Sequence, residues 1–516
     1  MAGLRRWTRN IPIGITCLPS EPNALKSNFT DMAEESLKNK VIGGMAWTGV
    51  EKVVSKAVNF VIGIALARLL APTDYGVVGM LAIFIAVANT FTDSGLSNAL
   101  IQKQNRTEKD FCTIFYFNVG VSIAFYAALF FASPYIAKFY NMPILEDVTK
   151  VVALSLVITG FTAVQRTRLT IDLRFQTQAL ISVISILVTG AVGLTLAFFG
   201  WGVWALVFQA LAGQLISSIC IWYCSRWMPK LMFSKESFKS LFGFGSKLLC
   251  SSLINTIYGN LYTLVIGKAF SPADVGYYNR GNEYALLPTQ ALQDMALKVN
   301  FPVLAKMQDD NERLLRAYRK LLRTPLFLLY PVLTTIAVIA EPLIEIMIGP
   351  KWLPCVPLLQ VLCFGYMFSP LTHINLNLLY VKGRTDLVLK LELMKKPIGF
   401  GILFATLPFG IYALVIGKAA YEFVAFSFNC YYTGKILGYG ELKQLKVLFP
   451  VFIQIAVMGV VTHFAIMPFD SSPAKVAIGI VTAAITYFGI AALIKDESFA
   501  DIKEIVVNKF SRKAAK

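Results

Sequence analysis

Apolar segments of about twenty residues or longer recur along the whole chain, separated by short polar connections. A helix of about 20 apolar residues crosses the hydrocarbon core of a bilayer, whereas membrane β-strands are shorter and alternate in polarity. Of the 516 residues, 56% are hydrophobic and only 15% are charged, which is too few to cover a water-soluble protein of this length. The sequence therefore predicts an all-α integral membrane protein.

About 14 segments are long enough to span a membrane, and the basic residues between them indicate their orientation. Lys and Arg cluster after the even-numbered segments, as at Lys103, Arg106 and Lys109, and are sparse after the odd-numbered ones. Because basic residues concentrate in cytoplasmic loops, both termini and every even-numbered loop are expected to be cytoplasmic. The predicted transmembrane helices are residues 42–69, 77–101, 112–137, 148–168, 178–199, 202–224, 241–268, 274–299, 324–348, 355–380, 386–407, 410–433, 447–467 and 474–494.

The rest of the composition excludes several classes of function. The net charge of +18 follows from the basic loops, and no basic soluble region is interleaved with aromatic residues, so nucleic acid is not an expected partner. The eight cysteines form no CxxC pair, and the chain has only two histidines. We therefore predict no disulfide framework, no metal site and no cofactor.

One motif occurs twice, as RLLAPTDYGVVG at 68–79 and as KAFSPADVGYYN at 268–279. In both copies a basic residue is followed at the same spacing by proline, aspartate and glycine. The proline is expected to break a helix, and the aspartate to cap the next one. We interpret the motif as a turn that positions two helices, with an extracellular gate as the alternative.

Other matching segments follow in the same order, so spans one to six repeat as spans seven to twelve. Because six is an even number, both halves enter the membrane in the same direction. Such parallel repeats are typical of secondary transporters, whose cargo site lies between the halves. The further matches are 36–44 with 237–245, 132–140 with 340–348, and 202–210 with 410–418.

The repeat and the span pattern also predict the division of the chain. Residues 1–31 begin with basic residues but have no sustained apolar core, so a signal peptide is not predicted and Met32 is an alternative start. Residues 300–323 have apolar residues at helical spacing and are predicted to be an amphipathic helix on the membrane surface. The predicted regions are a disordered N-terminal segment (1–35), two six-helix bundles (36–230 and 231–440), two additional transmembrane helices (441–495) and a basic cytoplasmic tail (496–516).

Ionisable residues inside the predicted spans indicate a polar cavity. A charge at the centre of a bilayer costs about 2.5–3.5 kcal/mol, so it normally faces a cavity or a partner. Polar residues follow one face of the first span, and the corresponding face of the seventh span is polar as well. We predict that these faces form a cationic cavity between the two bundles. The predicted cavity residues are Lys52, Lys56, Asn59, Lys247, Asn255, Arg280 and Glu283.

Basic residues in such a cavity suit an anionic cargo, such as a phosphate or pyrophosphate. Nearby carboxylates are candidates for binding a coupling ion, H⁺ or Na⁺. The alternative is that the charges form internal ion pairs, with Arg280 bound to Glu283 and Lys418 to Glu422. The predicted coupling-ion residues are Glu51, Asp93, Asp294 and Glu422.

Three stretches of sequence resemble a known family. They are DYGVVGMLAIFIAVANTFTDSGLSNALIQKQ (74–104), FPVLAKMQDD (301–310) and the region from Pro272 to Arg280. They are similar to the polysaccharide transporter family, the Wzx-type flippases of the multidrug/oligosaccharidyl-lipid/polysaccharide (MOP) superfamily. Within that family the resemblance is to exporters of O-antigen, colanic-acid-like and capsular units, and it covers about residues 36–500.

The resemblance implies a MATE- and MurJ-like fold of two bundles around a central cationic cavity. It also implies that the protein flips an undecaprenyl-pyrophosphate-linked oligosaccharide across the bacterial inner membrane by cation-coupled alternating access. The expected partners are this lipid-linked oligosaccharide and the membrane, with a polysaccharide polymerase and glycosyltransferases as neighbours in lipopolysaccharide or capsule biosynthesis. The resemblance assigns no role to an individual residue.

Three alternatives remain at this point. A multidrug exporter of the same superfamily is expected to have an acidic cavity, whereas the predicted one is basic. A lipid II flippase shares the plan of fourteen spans. A membrane enzyme, such as a polymerase or ligase, is expected to carry a large loop outside the membrane with catalytic acids or bases. No such loop is predicted, so the chain is not expected to be an enzyme.

Overall fold

A computed structural model describes residues 52, 54–93, 95–500 and 503–504, and for residues 244, 247 and 294–302 it describes the backbone alone. The predicted N-terminal segment, the alternative start at Met32 and Glu51 lie outside the described residues, as do the side chains of Lys247 and Asp294. Within the described residues every regular element is a helix. The prediction of an all-α chain is confirmed for this part of the protein.

The helices follow the predicted spans closely. The first half comprises α1 (54–69), α2 (Pro72–Asp93), α3 (Leu96–Gln102), α4 (Glu108–Tyr140), α5 (Ile144–Val152), α6 (Leu154–Ile171), α7 (Phe175–Phe198) and α8 (Val203–Ser225). The second half comprises α9 (Lys235–Ala269), α10 (Pro272–Ala305), α11 (Asn311–Val338), α12 (Ala340–Ile348), α13 (Val356–Tyr366), α14 (Ser369–Val381), α15 (Thr385–Thr406) and α16 (Ile411–Leu437). The helices α17 (Glu441–Ile466) and α18 (Ser472–Leu493) follow, and short 3₁₀ turns lie at Pro350–Cys355 and Leu407–Phe409.

Eleven helical segments of the described chain are long and apolar enough to cross a membrane. The three predicted spans that are not among them lie on α1, α10 and α15. The described part of α1 is short, and α10 and α15 carry charged residues. Helix α10 packs against α2, α9, α11, α13 and α14, so neighbouring helices shelter its charges from lipid.

The prediction of a separate amphipathic helix at 300–323 is wrong. Residues 300–305 end α10, and residues 311–323 form the first turns of α11, which continues into the ninth predicted span. The apolar face is buried in the protein, because Leu314, Tyr318 and Leu322 have no exposed surface. The Tyr318 hydroxyl donates a hydrogen bond to Asn375 Oδ1 at 3.0 Å. The spacing of apolar residues along a helix is the same whether that face contacts lipid or packs against protein.

Both copies of the repeated motif form the predicted turn. Pro72 and Pro272 are the first residues of α2 and α10. Asp74 accepts a hydrogen bond from the backbone N–H of Ala71 at 2.9 Å, and Asp274 accepts one from Ser271 at 3.0 Å. Each aspartate therefore satisfies a free backbone donor at the start of its helix.

The two copies also contact each other, which their sequences do not reveal. A Cβ added at Gly76 would overlap the carbonyl oxygen of Pro272, and one added at Gly276 would overlap the carbonyl oxygen of Pro72. Helices α2 and α10 thus approach each other through reciprocal glycine contacts.

The basic residue of each motif binds the other half of the protein. Arg68 donates to the carbonyls of Met347, at 2.8 Å, and of Ile346 at the end of α12. Lys268 donates to the carbonyl of Phe139 at the end of α4, at 2.5 Å. The last carbonyls of a helix favour a cation. We call this contact region the closed end; it comprises residues 67–79, 267–279, 139–140 and 346–352.

Candidate functional site

A cavity of about 740 Å³ lies at the opposite end of the helices from the closed end. It is bounded by α2, α3, α6 and α8 of the first half and by Leu248, Leu249 and Ser252 near the middle of α9. Helix α2 begins at the closed end and reaches the cavity with its last residues, a distance of about 30 Å at 1.5 Å per residue. The volume is within the range of ligand-binding pockets.

The cavity wall is rich in hydroxyl and amide groups. The cavity-facing residues of α6 recur at helical spacing and form one polar stripe. Gln214 of α8 donates to Thr159 Oγ1 at 2.7 Å, and Thr162 Oγ1 lies 2.8 Å from Ser218 Oγ. These groups can exchange hydrogen bonds with a ligand that carries hydroxyls. The stripe comprises Ser155, Thr159, Thr162, Arg166 and Thr170.

Among the described side chains, one base and one acid line the cavity. The Arg166 guanidinium lies 3.4 Å from Ser217 Oγ and has no carboxylate within 4 Å among the described residues. Asp93, at the end of α2, is near enough to contribute to the electrostatic environment of Arg166. An arginine without a close ionic partner in a polar cavity suits a phosphate or carboxylate ligand.

Among the predicted cavity and coupling residues whose side chains the structure describes, Asp93 is the one that lines this cavity. Lys56 and Asn59 are exposed on α1, and Lys52, just before it, is exposed as well. A Cβ added at Gly63, one turn after Asn59, would lie 3.6 Å from Arg280 Nη1. The predicted polar face of α1 therefore points towards α10 of the other half.

Asn255 is exposed on α9, next to the residues of α9 that meet the first half. Its neighbour Thr256 places its hydroxyl 3.0 Å from that of Thr90 on α2, and Thr90 and Ser252 both line the cavity. The polar face of α9 thus extends from the cavity towards the contact between the halves.

Arg280 and Glu283 form an ion pair, as the alternative prediction proposed. Arg280 Nη1 lies 2.7 Å from Glu283 Oε2; the arginine is buried, whereas 50% of the glutamate side chain is exposed. The guanidinium also lies over the ring of Tyr75, 4.1 Å from its centroid. Because Tyr75 belongs to α2, Arg280 connects the two halves just inside the closed end.

Lys418 is surrounded by tyrosines instead of pairing closely with Glu422. Its amine donates to Tyr278 at 2.7 Å and to Asn282 at 2.8 Å. The rings of Tyr262, Tyr278 and Tyr366 lie within 5.4 Å of the amine. No ion pair closer than 4 Å joins Lys418 and Glu422 among the described residues.

Glu422 is half-buried on α16, within electrostatic range of Lys418, Lys395 and Lys396. The last two also pair with Glu392, at 2.7 and 3.6 Å. This part of the second half therefore holds three lysines and two glutamates. The two glutamates offset two of the three positive charges, and the hydroxyl of Tyr278 and the amide of Asn282 bind the amine of Lys418.

Sequence reasoning missed the contribution of α6 to the cavity. Arg166 falls near the end of the fourth predicted span (148–168), yet it is not among the predicted cavity residues. The helical spacing of Ser155, Thr159, Thr162 and Arg166 was nevertheless visible in the sequence. The rule that identified the polar faces of the first and seventh spans would have found this face as well.

The sequence profile of the family described as "Polysaccharide biosynthesis protein" matches residues 65–357. Lipopolysaccharide biosynthesis protein WzxC of Escherichia coli (strain K12) is 28% identical, over 70% of this chain and 74% of that protein. Teichuronic acid biosynthesis protein TuaB of Bacillus subtilis (strain 168) is 24% identical, over 68% and 73%. Succinoglycan biosynthesis transport protein ExoT of Rhizobium meliloti (strain 1021) is 25% identical, over 66% and 69%.

Two solved structures share the fold. The lipid II flippase MurJ in an inward closed conformation superposes with a TM-score of 0.70 at 13% identity, over 87% of this chain and 99% of that one. An inward-facing multidrug resistance MATE family transporter of the MOP superfamily superposes with a TM-score of 0.57 at 14% identity, over 74% and 95%. The chain is a multi-pass membrane protein with a MurJ- and MATE-like fold.

Proposed function

The chain belongs to the polysaccharide biosynthesis protein family, and from this premise we propose that it is a flippase for a polyprenyl-pyrophosphate-linked oligosaccharide. It is a transporter and not an enzyme. The cargo is a lipid-linked unit of O-antigen, capsule or exopolysaccharide, which it moves across the bacterial inner membrane. The relatives named for polysaccharide biosynthesis and transport support this assignment.

The observation that carries the proposal is the polar cavity with Arg166 in its wall. A pyrophosphate and its sugars cannot cross hydrocarbon unaided, because an unpaired charge in an apolar medium is prohibitively costly. Hydroxyl and amide groups replace the water around the sugars, and Arg166 binds an anionic group of the cargo. We further propose that Lys52, Lys56, Lys247 and Arg280 contribute positive charge along the path between the halves.

Transport follows an alternating-access cycle of two six-helix bundles, residues 36–230 and 231–440, within a plan of fourteen spans. The even-numbered loops and both termini face the cytoplasm, so the cavity opens inward and the closed end faces outward. The reciprocal contacts between the two motif copies support this assignment of an inward-facing state. Coupling to H⁺ or Na⁺ is assigned to the carboxylates Asp93 and Glu422, with Glu51 and Asp294.

Deletion of the gene tests the proposal directly. We expect complete lipid-linked oligosaccharide units to accumulate in extracted lipids while surface polysaccharide is lost, because synthesis continues and flipping stops. The measurement is mass spectrometry of the lipid extract beside quantification of surface polymer. Unchanged lipid-linked sugar together with altered drug sensitivity would favour a multidrug exporter, and accumulated lipid II would favour a peptidoglycan flippase.

Arg166→Gln is expected to reduce export about tenfold, since a charge-assisted hydrogen bond contributes roughly 1.5–3 kcal/mol. Export is measured as surface polysaccharide per unit of membrane-inserted protein. Arg166→Lys, which keeps the charge, should retain most of the activity. Lys109→Gln removes an exposed charge outside the cavity and serves as the matched control. Wild-type export by Arg166→Gln at equal protein levels would remove Arg166 from the cargo site.

A further inference from the structure

A groove on the outer face of the second half joins a charged end to an apolar floor. The charged end is a cavity of about 650 Å³ lined by Glu341, His463 and Lys475. A neighbouring cavity of about 700 Å³ is lined by aromatic and aliphatic residues, among them Phe364. Gln360 lines both cavities, so they form one continuous surface. We call this surface the Gln360 groove.

The Gln360 groove faces the lipid phase. Large apolar side chains along it are well exposed, including Phe364 at 59%, Phe464 at 63% and Val460 at 57%. On a helix that crosses a membrane, exposed apolar surface of this kind contacts lipid chains. The groove is therefore in contact with bilayer lipids rather than with the cavity between the halves.

The charged residues lie at helix ends, where the membrane meets water. Glu341 is in the first turn of α12, His463 is in the last turn of α17, and Lys475 is in the first turn of α18. From Gln360 to Phe364 the groove follows α13 for roughly 6 Å, at 1.5 Å per residue, and Phe368, two residues beyond the end of α13, also lines it. A headgroup site at the interface is thus continuous with an apolar channel that leads into the hydrocarbon region.

The charged end matches a headgroup that carries both signs of charge. The formal charges of Glu341 and Lys475 cancel, and His463 adds a ring that can donate or accept a hydrogen bond. None of the three side chains forms a hydrogen bond or ion pair with another described residue. A purely anionic headgroup would meet the Glu341 carboxylate, which repels a second negative charge.

We propose that the Gln360 groove binds a zwitterionic phospholipid with a primary ammonium group. Its phosphate binds Lys475 and His463, its ammonium binds Glu341, and one acyl chain lies along Phe364 and Phe368. The site is separate from the cargo cavity and does not depend on the identity of the cargo. Its occupant is a lipid of the surrounding bilayer.

Native mass spectrometry of the purified full chain tests this proposal. The protein is mixed with equal amounts of phosphatidylethanolamine and phosphatidylglycerol, and the retained lipids are counted. We expect the wild type to retain phosphatidylethanolamine with about a fivefold preference, the ratio that corresponds to roughly 1 kcal/mol. Glu341→Gln should abolish the preference. Ala420→Trp, which fills the apolar channel, should reduce retention of both lipids.

Glu345→Gln is the matched control, because this glutamate lies one turn further along α12, pairs with Ser472 and does not line the groove. It should keep the wild-type preference. If Glu341→Gln lowers the thermal unfolding temperature, Lys475→Gln replaces it as the test variant and should reduce retention of both lipids, because its assigned partner is the phosphate that both carry. Equal retention of the two lipids by the wild type would overturn the proposal. So would displacement of phosphatidylethanolamine by undecaprenyl phosphate, which would assign the groove to the cargo lipid.

Discussion

Gly76→Ala is expected to reduce transport by more than about tenfold, because the new methyl group would overlap the backbone of Pro272. A backbone carbonyl cannot rotate away as a side chain can, so α2 and α10 must separate. Overpacking of this kind costs about 1–3 kcal/mol. Gly276→Ala creates the same conflict with Pro72 and should have a similar effect. Transport is measured as surface polysaccharide per unit of inserted protein.

The accessibility of the Cys355 thiol to a labelling reagent distinguishes a variant whose closed end has opened from one that is misfolded. This cysteine is fully buried beside Gly281 of α10, in a part of the chain that joins the closed end. In a variant whose only cysteine is Cys355, Gly76→Ala should increase labelling by a maleimide that does not cross membranes. Gly120→Ala is the control, since a Cβ at Gly120 meets open space. Normal transport by both Gly76→Ala and Gly276→Ala would show that the close approach of α2 and α10 is dispensable.

Arg280→Gln is expected to reduce transport by at least about tenfold while the protein still inserts. The change removes the ion pair with Glu283 and the stacking on Tyr75, the latter worth about 0.5–2 kcal/mol. Arg280→Lys keeps the charge but loses the planar guanidinium, so an intermediate loss is expected. Arg384→Gln breaks an exposed arginine–carboxylate pair with Asp386 and should leave transport unchanged.

A double variant separates a role of Arg280 in the contact with Tyr75 of α2 from a role in binding the cargo. If Arg280 acts through its contact with α2, Arg280→Gln should cost much less transport when Tyr75 is already leucine. Independent effects of the two substitutions would instead indicate that Arg280 acts on the cargo. Full activity of Arg280→Gln alone would contradict both roles.

The sequence predicted that the chain is an integral membrane protein and where its helices lie, because both depend on local properties of the chain. The apolar length and the spacing of prolines and glycines identified helices that the structure contains, including the turns at Pro72 and Pro272. Residues 300–323 mark the limit of this reasoning. Their apolar face was visible, but its partner in the protein was not, so a surface helix was predicted where α11 begins.

The sequence by itself determined that this protein is helical and spans a membrane, since composition and periodicity are readable along one dimension; it also showed that one motif occurs twice. Only the tertiary structure decided which charges meet. It placed Arg280 against Tyr75 of the other half, enclosed Lys418 among tyrosines and placed Arg166 in a polar cavity. It also brought the two motif copies into contact across about 200 residues of chain. The physical reason is that charge pairing and close packing depend on distances between helices, which spacing along the chain does not specify.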